Sequence, residues 1–256
     1  MKISRFIVLV AIPLLFSCLP KKPEIVGTRV PAGPLIPALE QQRAAVTTLK
    51  AIAGIEIVKG GRRRSLDTIG IVFDVRRRLR IEAYNPLGQT ITVLVWDGDE
   101  VLARLQDGEI KKPGQAGIER MLGISIDAKE LCAILSATVS EIARPQQAQA
   151  FCETNGACVI VLSEDGTERR VHMRTPVSSP VRVTEQELYR GDTLIYRVRY
   201  DWSEPIANGS IPTKVIIENQ GKQITLTIKY SEADLNLPVS EDAFTLGEMA
   251  SGAGNV

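Results

Sequence analysis

Histidine is almost absent from this chain, with His172 the single one among 256 residues. The sequence also holds no G-x-S-x-G stretch, no C-x-x-C pair and no phosphate-cradling glycine loop, since Gly60-Gly61 is followed by Arg62 and not by Lys-Ser at the head of a helix. These absences exclude the common nucleophile–base sites, zinc fingers and P-loops. His172 falls in an alternating stretch beside Arg169 and Arg170 and reads as a solvated strand residue. Asp97, Asp99 and Glu100 crowd a turn, where Asp is favoured for backbone reasons. The expectation is a non-enzymatic protein with neither cofactor nor metal.

An excess of charge of one sign is lacking too, with 31 basic and 30 acidic residues. That balance argues against nucleic acid as a partner. Two arginine runs stand out, Arg62-Arg63-Arg64 and Arg76-Arg77-Arg78 with Arg80. Without interleaved aromatics they read as solvated strand ends, or alternatively as contacts for anionic lipid headgroups.

The one long apolar run, Phe6 to Phe16, is too short to cross a bilayer and follows Lys2 and Arg5, which is the layout of a signal peptide. The next residues, Leu15-Phe16-Ser17-Cys18, resemble the bacterial lipobox, in which the Cys becomes the lipidated first residue of the mature chain. The alternative is an ordinary secretory signal with an incidental Cys. Residues 18–37 carry Pro20, Pro23, Pro31, Pro34 and Pro37 and read as an extended membrane tether. The resulting division is a signal peptide at 1–17, a tether at 18–37, a folded domain at 38–246 and a flexible tail at 247–256. In an oxidising envelope Cys152 and Cys158 are positioned to close a hairpin as a disulfide, and Cys132 reads as a buried thiol in a helix.

Leu35, Leu39, Val46, Leu49 and Ala53 recur at helical spacing and predict one amphipathic helix. From Ile55 the period changes to two, as in Ile69-Ile71-Phe73-Val75, Leu79-Ile81-Ala83 and Ile91-Val93-Val95, the pattern of an antiparallel sheet with one wetter face. A helical interruption spans about 115–142, with Asp127 and Glu130 at capping-box spacing ahead of Leu131, Ile134 and Leu135. Strands then resume to Tyr230. The sum is an α+β domain of about ten or eleven strands, a curved antiparallel sheet whose concave apolar face is covered by short helices. Asn85-Pro86-Leu87-Gly88 stands apart, because its turn residues surround an apolar Leu that on the residues alone would fold back onto the core.

Three stretches resemble the LolA/LolB superfamily, and LolB-like outer-membrane lipoprotein receptors in particular. They are Leu79 to Thr90, Ile118 to Ile126 with the helix at Leu131 to Leu135, and the hairpin of Ile211 to Ile217 with Ile224 to Ile228. The resemblance implies a half-open β-barrel with a helical lid over an apolar cavity. That cavity would take acyl chains of lipoprotein cargo from a periplasmic LolA-like carrier and pass them to outer-membrane lipid. It further implies a monomer anchored through Cys18 to the outer membrane, facing the periplasm, with Pro86, Leu87 and Gly88 forming a membrane-insertion loop. Ile71, Phe73, Ile81, Val93, Val95, Leu122 and Leu135 are then the candidate cavity residues. The alternative is an envelope interaction or assembly module of the same fold that binds a protein or another lipid.

Overall fold

The structure, a computed structural model, describes residues 22–74, 78–112, 118–119, 123–124, 126–174 and 181–246. The signal peptide, Cys18, Leu122 and the tail at 247–256 lie outside the described residues.

The chain enters through a short strand, β1 (Thr28–Val30), and helix α1 (Leu35–Ala44), then forms β2 (Thr48–Lys59), β3 (Arg62–Asp74), β4 (Leu79–Tyr84), β5 (Thr90–Trp96), β6 (Val101–Arg104) and β7 (Ile110–Lys111). Helix α2 (Ala128–Leu135) precedes β8 (Gln149–Cys152), β9 (Ala157–Glu164), β10 (Thr167–Arg174) and β11 (Arg182–Arg190). The last strands are β12 (Thr193–Asp201), β13 (Lys214–Asn219) and β14 (Ile224–Leu235). All pair antiparallel in one 14-stranded sheet of order β1-β8-β9-β10-β11-β12-β13-β14-β2-β3-β4-β5-β6-β7. Its edges, β1 and β7, do not meet, so the sheet is open, and both helices carry side chains into the core on its inner face.

The expected count of ten or eleven strands falls short because β1 and β7 are only 3 and 2 residues long, β8 is buried in a turn-rich stretch, and β11 alternates poorly. Its run of Glu185, Gln186 and Glu187 and its bulge at Leu188/Tyr189 hide the period.

The single helix expected through Ala53 is also corrected. It stops at Ala44, and Leu49, Ala51, Ala53 and Ile55 alternate inward along β2. Leu35, Leu39, Val46, Leu49 and Ala53 fit a helix by coincidence, while the β-branched Val46-Thr47-Thr48 favours extended backbone. The tether reading gives way in part, since Thr28–Val30 pairs with β8 and α1 begins at Leu35. Pro37 is tolerated there because the first helical N–H groups have no partner within the helix.

Helix α2 starts as its sequence predicts, with the Asp127 carboxylate accepting from the Glu130 N–H at 2.7 Å. Leu131, Ile134 and Leu135 are buried against the inner face.

Candidate functional site

Of the predicted cavity residues, Ile71, Phe73, Ile81 and Leu135 lie in the main core at 1%, 4%, 7% and 1% exposure, filled around by their neighbours. They share a face because Ile71 is opposite Ile81, Ile81 is opposite Leu94, and Phe73 is opposite Leu79. Val93 and Val95 face the other way. They form a separate cluster with Phe244 on the convex face, and Leu94 and Trp96 take the inward positions. Both parities of β5 are apolar, so alternation could not choose between them; the strand is buried on both sides because the C-terminal segment covers it. Arg78 holds that segment through Glu241 and stacks over Phe244 at 4.4 Å, while Arg80 donates to the Thr245 carbonyl at 2.7 Å.

A cavity of about 860 Å³ opens elsewhere, between α1 and the far ends of β11, β12 and β14. Ala38, Ala45, Val46, Val181, Trp202 and Leu235 give it apolar walls. Gln41, Gln42, Ser136, Arg182, Ser210 and Asn236 add polar ones. Its volume is that of a small-molecule site. Trp202 is fixed by donating to the Val183 carbonyl at 2.8 Å, and the Arg182 guanidinium lies 5.2 Å over its ring. Gln42 donates to the Ala137 carbonyl at 3.1 Å, tying α1 to the segment after α2, and leaves its own Oε1 buried with no partner. None of the six predicted cavity residues that are described lines this space. What the sequence offered there was the alternation of Tyr196, Val198, Tyr200 and Trp202, of which the first three face inward.

Polar contacts hold α2 to the sheet. Glu130, buried on α2, pairs with Arg169 on β10, whose Nη2 stands 2.9 Å from Oε2, and accepts from the Tyr196 hydroxyl at 2.7 Å. Burial works against the Glu130 carboxylate, but the adjacent Arg169 outweighs it and holds the pKa below the usual range. Gln186 donates to the Thr138 carbonyl at 2.9 Å and to the Tyr200 hydroxyl at 2.8 Å, and Tyr230 donates to the Leu135 carbonyl at 2.8 Å.

The predicted loop residues Pro86, Leu87 and Gly88 form a tight turn between β4 and β5, and Leu87 is 83% exposed, the highest value for a large apolar residue among those described. Asn85 locks the turn, its side-chain oxygen accepting from the N–H groups of Leu87 and Gln89, each at 2.9 Å. Gly88 has φ +77°, a conformation that favours glycine. Leu87 therefore does not fold back on the core.

The register separates this turn from the cavity. Tyr84 is opposite Thr68, so Leu87 leaves the sheet at the end of β3 that carries Gly60-Gly61. Leu235, at the cavity, is opposite Leu49, which is opposite Phe73, at the other end. Cys152 and Cys158 are joined as a disulfide across the β8–β9 hairpin, and Cys132 is a buried free thiol on α2. His172 is partly solvated, as its strand pattern implied, with its side chain 35% exposed, while its Nε2 is turned away from solvent beside Glu187.

No protein-family model matches the chain, and no curated protein matches it in sequence. Solved structures do match the fold. A DUF1329 family protein from Desulfovibrio piger superposes with TM-score 0.59 at 11% identity, over 86% of this chain and 99% of that one. A domain described as an outer membrane lipoprotein-sorting protein from Vibrio parahaemolyticus gives 0.58 at 12% identity, over 84% and 97%. A LolA superfamily protein from Nitrosomonas europaea gives 0.52 at 12% identity, over 84% and 98%. The fold is therefore LolA-like: one large open antiparallel sheet with short helices on its inner face.

Proposed function

We propose that the protein is a non-enzymatic envelope lipoprotein that shelters acyl chains and delivers them to the outer membrane, in the manner of a LolB-like receptor. The cavity beneath α1 carries this reading. It has a hydrocarbon-compatible wall of Ala38, Val46, Trp202 and Leu235 and a polar rim at Arg182, Asn236 and Gln41, which suits a chain ending in a polar or anionic head. The exposed Leu87 supports it, since an apolar side chain held out by a locked turn gains roughly 1.5 to 3 kcal/mol on entering lipid. Cys18, as the lipidated residue, would keep the protein at its membrane, with outer-membrane lipid and a periplasmic LolA-like carrier as its partners. Among the described residues no helix is long and apolar enough to cross a membrane.

Cargo moves without covalent chemistry, from the carrier to this cavity and on to the bilayer, which buries the chains finally. The test is organic extraction of the purified Cys18→Ser protein followed by mass spectrometry. Retained acyl lipid is the expected result; a protein that emerges empty, and stays empty when offered diacylated lipopeptide, sinks the reading in favour of a protein-binding module of the same fold.

A further inference from the structure

We propose that His172, Glu185 and Glu187 form a divalent transition-metal site on the convex face of the sheet, with Zn²⁺ the ion that fits best. His172 on β10 stands directly opposite Glu185 on β11, and Glu187 follows two residues along the same face of β11. One ligand atom from each, the imidazole nitrogen and two carboxylate oxygens, lies within 4.8 Å of the others. His172 Nε2 is 3.5 Å from Glu187 Oε2. Two metal bonds of about 2.1 Å enclosing a tetrahedral angle place their ligand atoms roughly 3.4 Å apart, so this pair already stands at chelating distance. Rotation of the Glu185 carboxylate closes the third bond.

An independent observation is the state of the imidazole. Nε2 is turned away from solvent and faces Glu187 Oε2 at 3.5 Å, beyond a well-formed hydrogen bond, while the imidazole itself is 35% exposed. An imidazolium bonded to Glu187 would sit within about 3.2 Å. A cation held between the two atoms fits that spacing.

Arg197 on β12 acts as the outer support. It contacts Glu187 Oε1 at 2.6 Å and Glu185 Oε1 at 3.1 Å, which fixes both carboxylates by one oxygen and leaves Glu187 Oε2 facing the imidazole. Glu185 stands opposite Arg199 and Glu187 opposite Arg197, so two guanidiniums balance the two carboxylates and metal binding must rest on ligand geometry, not on net charge. An imidazole in the set favours late first-row metals over Mg²⁺ or Ca²⁺, whose ligands are all oxygen. Three protein ligands leave a fourth position for water. The site lies on the face opposite the cavity and stands or falls independently of acyl binding.

The test is isothermal titration of zinc chloride into tag-free protein previously dialysed against chelator. One zinc per chain is expected. His172→Gln and Glu185→Gln should each weaken binding at least tenfold, while Glu56→Gln, on β2 away from the cluster, should not. X-ray absorption at the zinc edge of the loaded wild-type protein should show one imidazole with carboxylate oxygens, a readout that survives if a variant misfolds. No stoichiometric binding, unchanged affinity in a folded His172→Gln variant, or a spectrum without imidazole overturns the site.

Discussion

Glu130 on α2 and Arg169 on β10 are paired across the interior of the sheet, 39 residues apart in the chain, and the Tyr196 hydroxyl completes the contact. Glu130 is buried and Arg169 is mostly buried, so a lost partner would be replaced only in part by water. Glu130→Gln strands the Arg169 charge and should lower unfolding free energy by about 3 to 5 kcal/mol, read from urea denaturation monitored by Trp fluorescence. A loss under about 1 kcal/mol would mean that α2 is held by its apolar face alone.

The acid limb of stability follows from the same pair and from Glu187. Burial raises the Glu187 pKa, but the neighbouring His172 and Arg197 outweigh it and bring the value to about 2. Both Glu130 and Glu187 titrate lower folded than unfolded, so they stabilise the fold above the unfolded Glu pKa of about 4.3, and that contribution is lost as pH falls. Glu185, raised by burial, acts with the opposite sign. The thermal midpoint should fall between about pH 5 and pH 2, and in Glu130→Gln this acid-dependent loss should shrink, as a calorimetric pH series would show.

Leu87 touches too little for its replacement to matter to the fold. Leu87→Glu should change stability by no more than about 0.5 kcal/mol. Removing roughly 1.5 to 3 kcal/mol of lipid burial should weaken vesicle binding tenfold or more. Co-sedimentation with liposomes measures this, and equal binding by the variant would remove the turn from any membrane role.

Ala38 lies on α1 where the helix forms one wall of the cavity. Ala38→Trp places an indole in that space and should reduce the lipid recovered by solvent extraction several-fold while leaving the Leu87-dependent vesicle contact intact. Undiminished recovery would place the acyl chain elsewhere.

How much of this could be read from residues depended on how many faces each element buries. β3 and β4 alternate clearly because one face is wet, so Ile71, Phe73 and Ile81 could be placed together from their alternation alone. β5, β11 and the α1–β2 junction could not be read in this way. Val93 and Val95 are buried on the convex side by a segment far along the chain, and the buried Glu187 and partly exposed Glu185 are acids on a strand whose apolar positions are few. The Leu87 turn was legible because Asn-Pro-Leu-Gly is a local signal. The cavity was not, because it is formed by ends of elements remote in sequence, and neither Ala38 nor Asn236 carries a mark of it.

The two borders of the sheet have a consequence for how the molecule behaves in a crowd. A barrel left ajar exposes unpaired backbone along its rims, and such rims recruit strands from other copies. Here the rims are β1 and β7, of three and two residues, with Pro31 and Pro113 close behind them in sequence. So little ladder remains on either side that the open sheet offers almost no template for polymer growth.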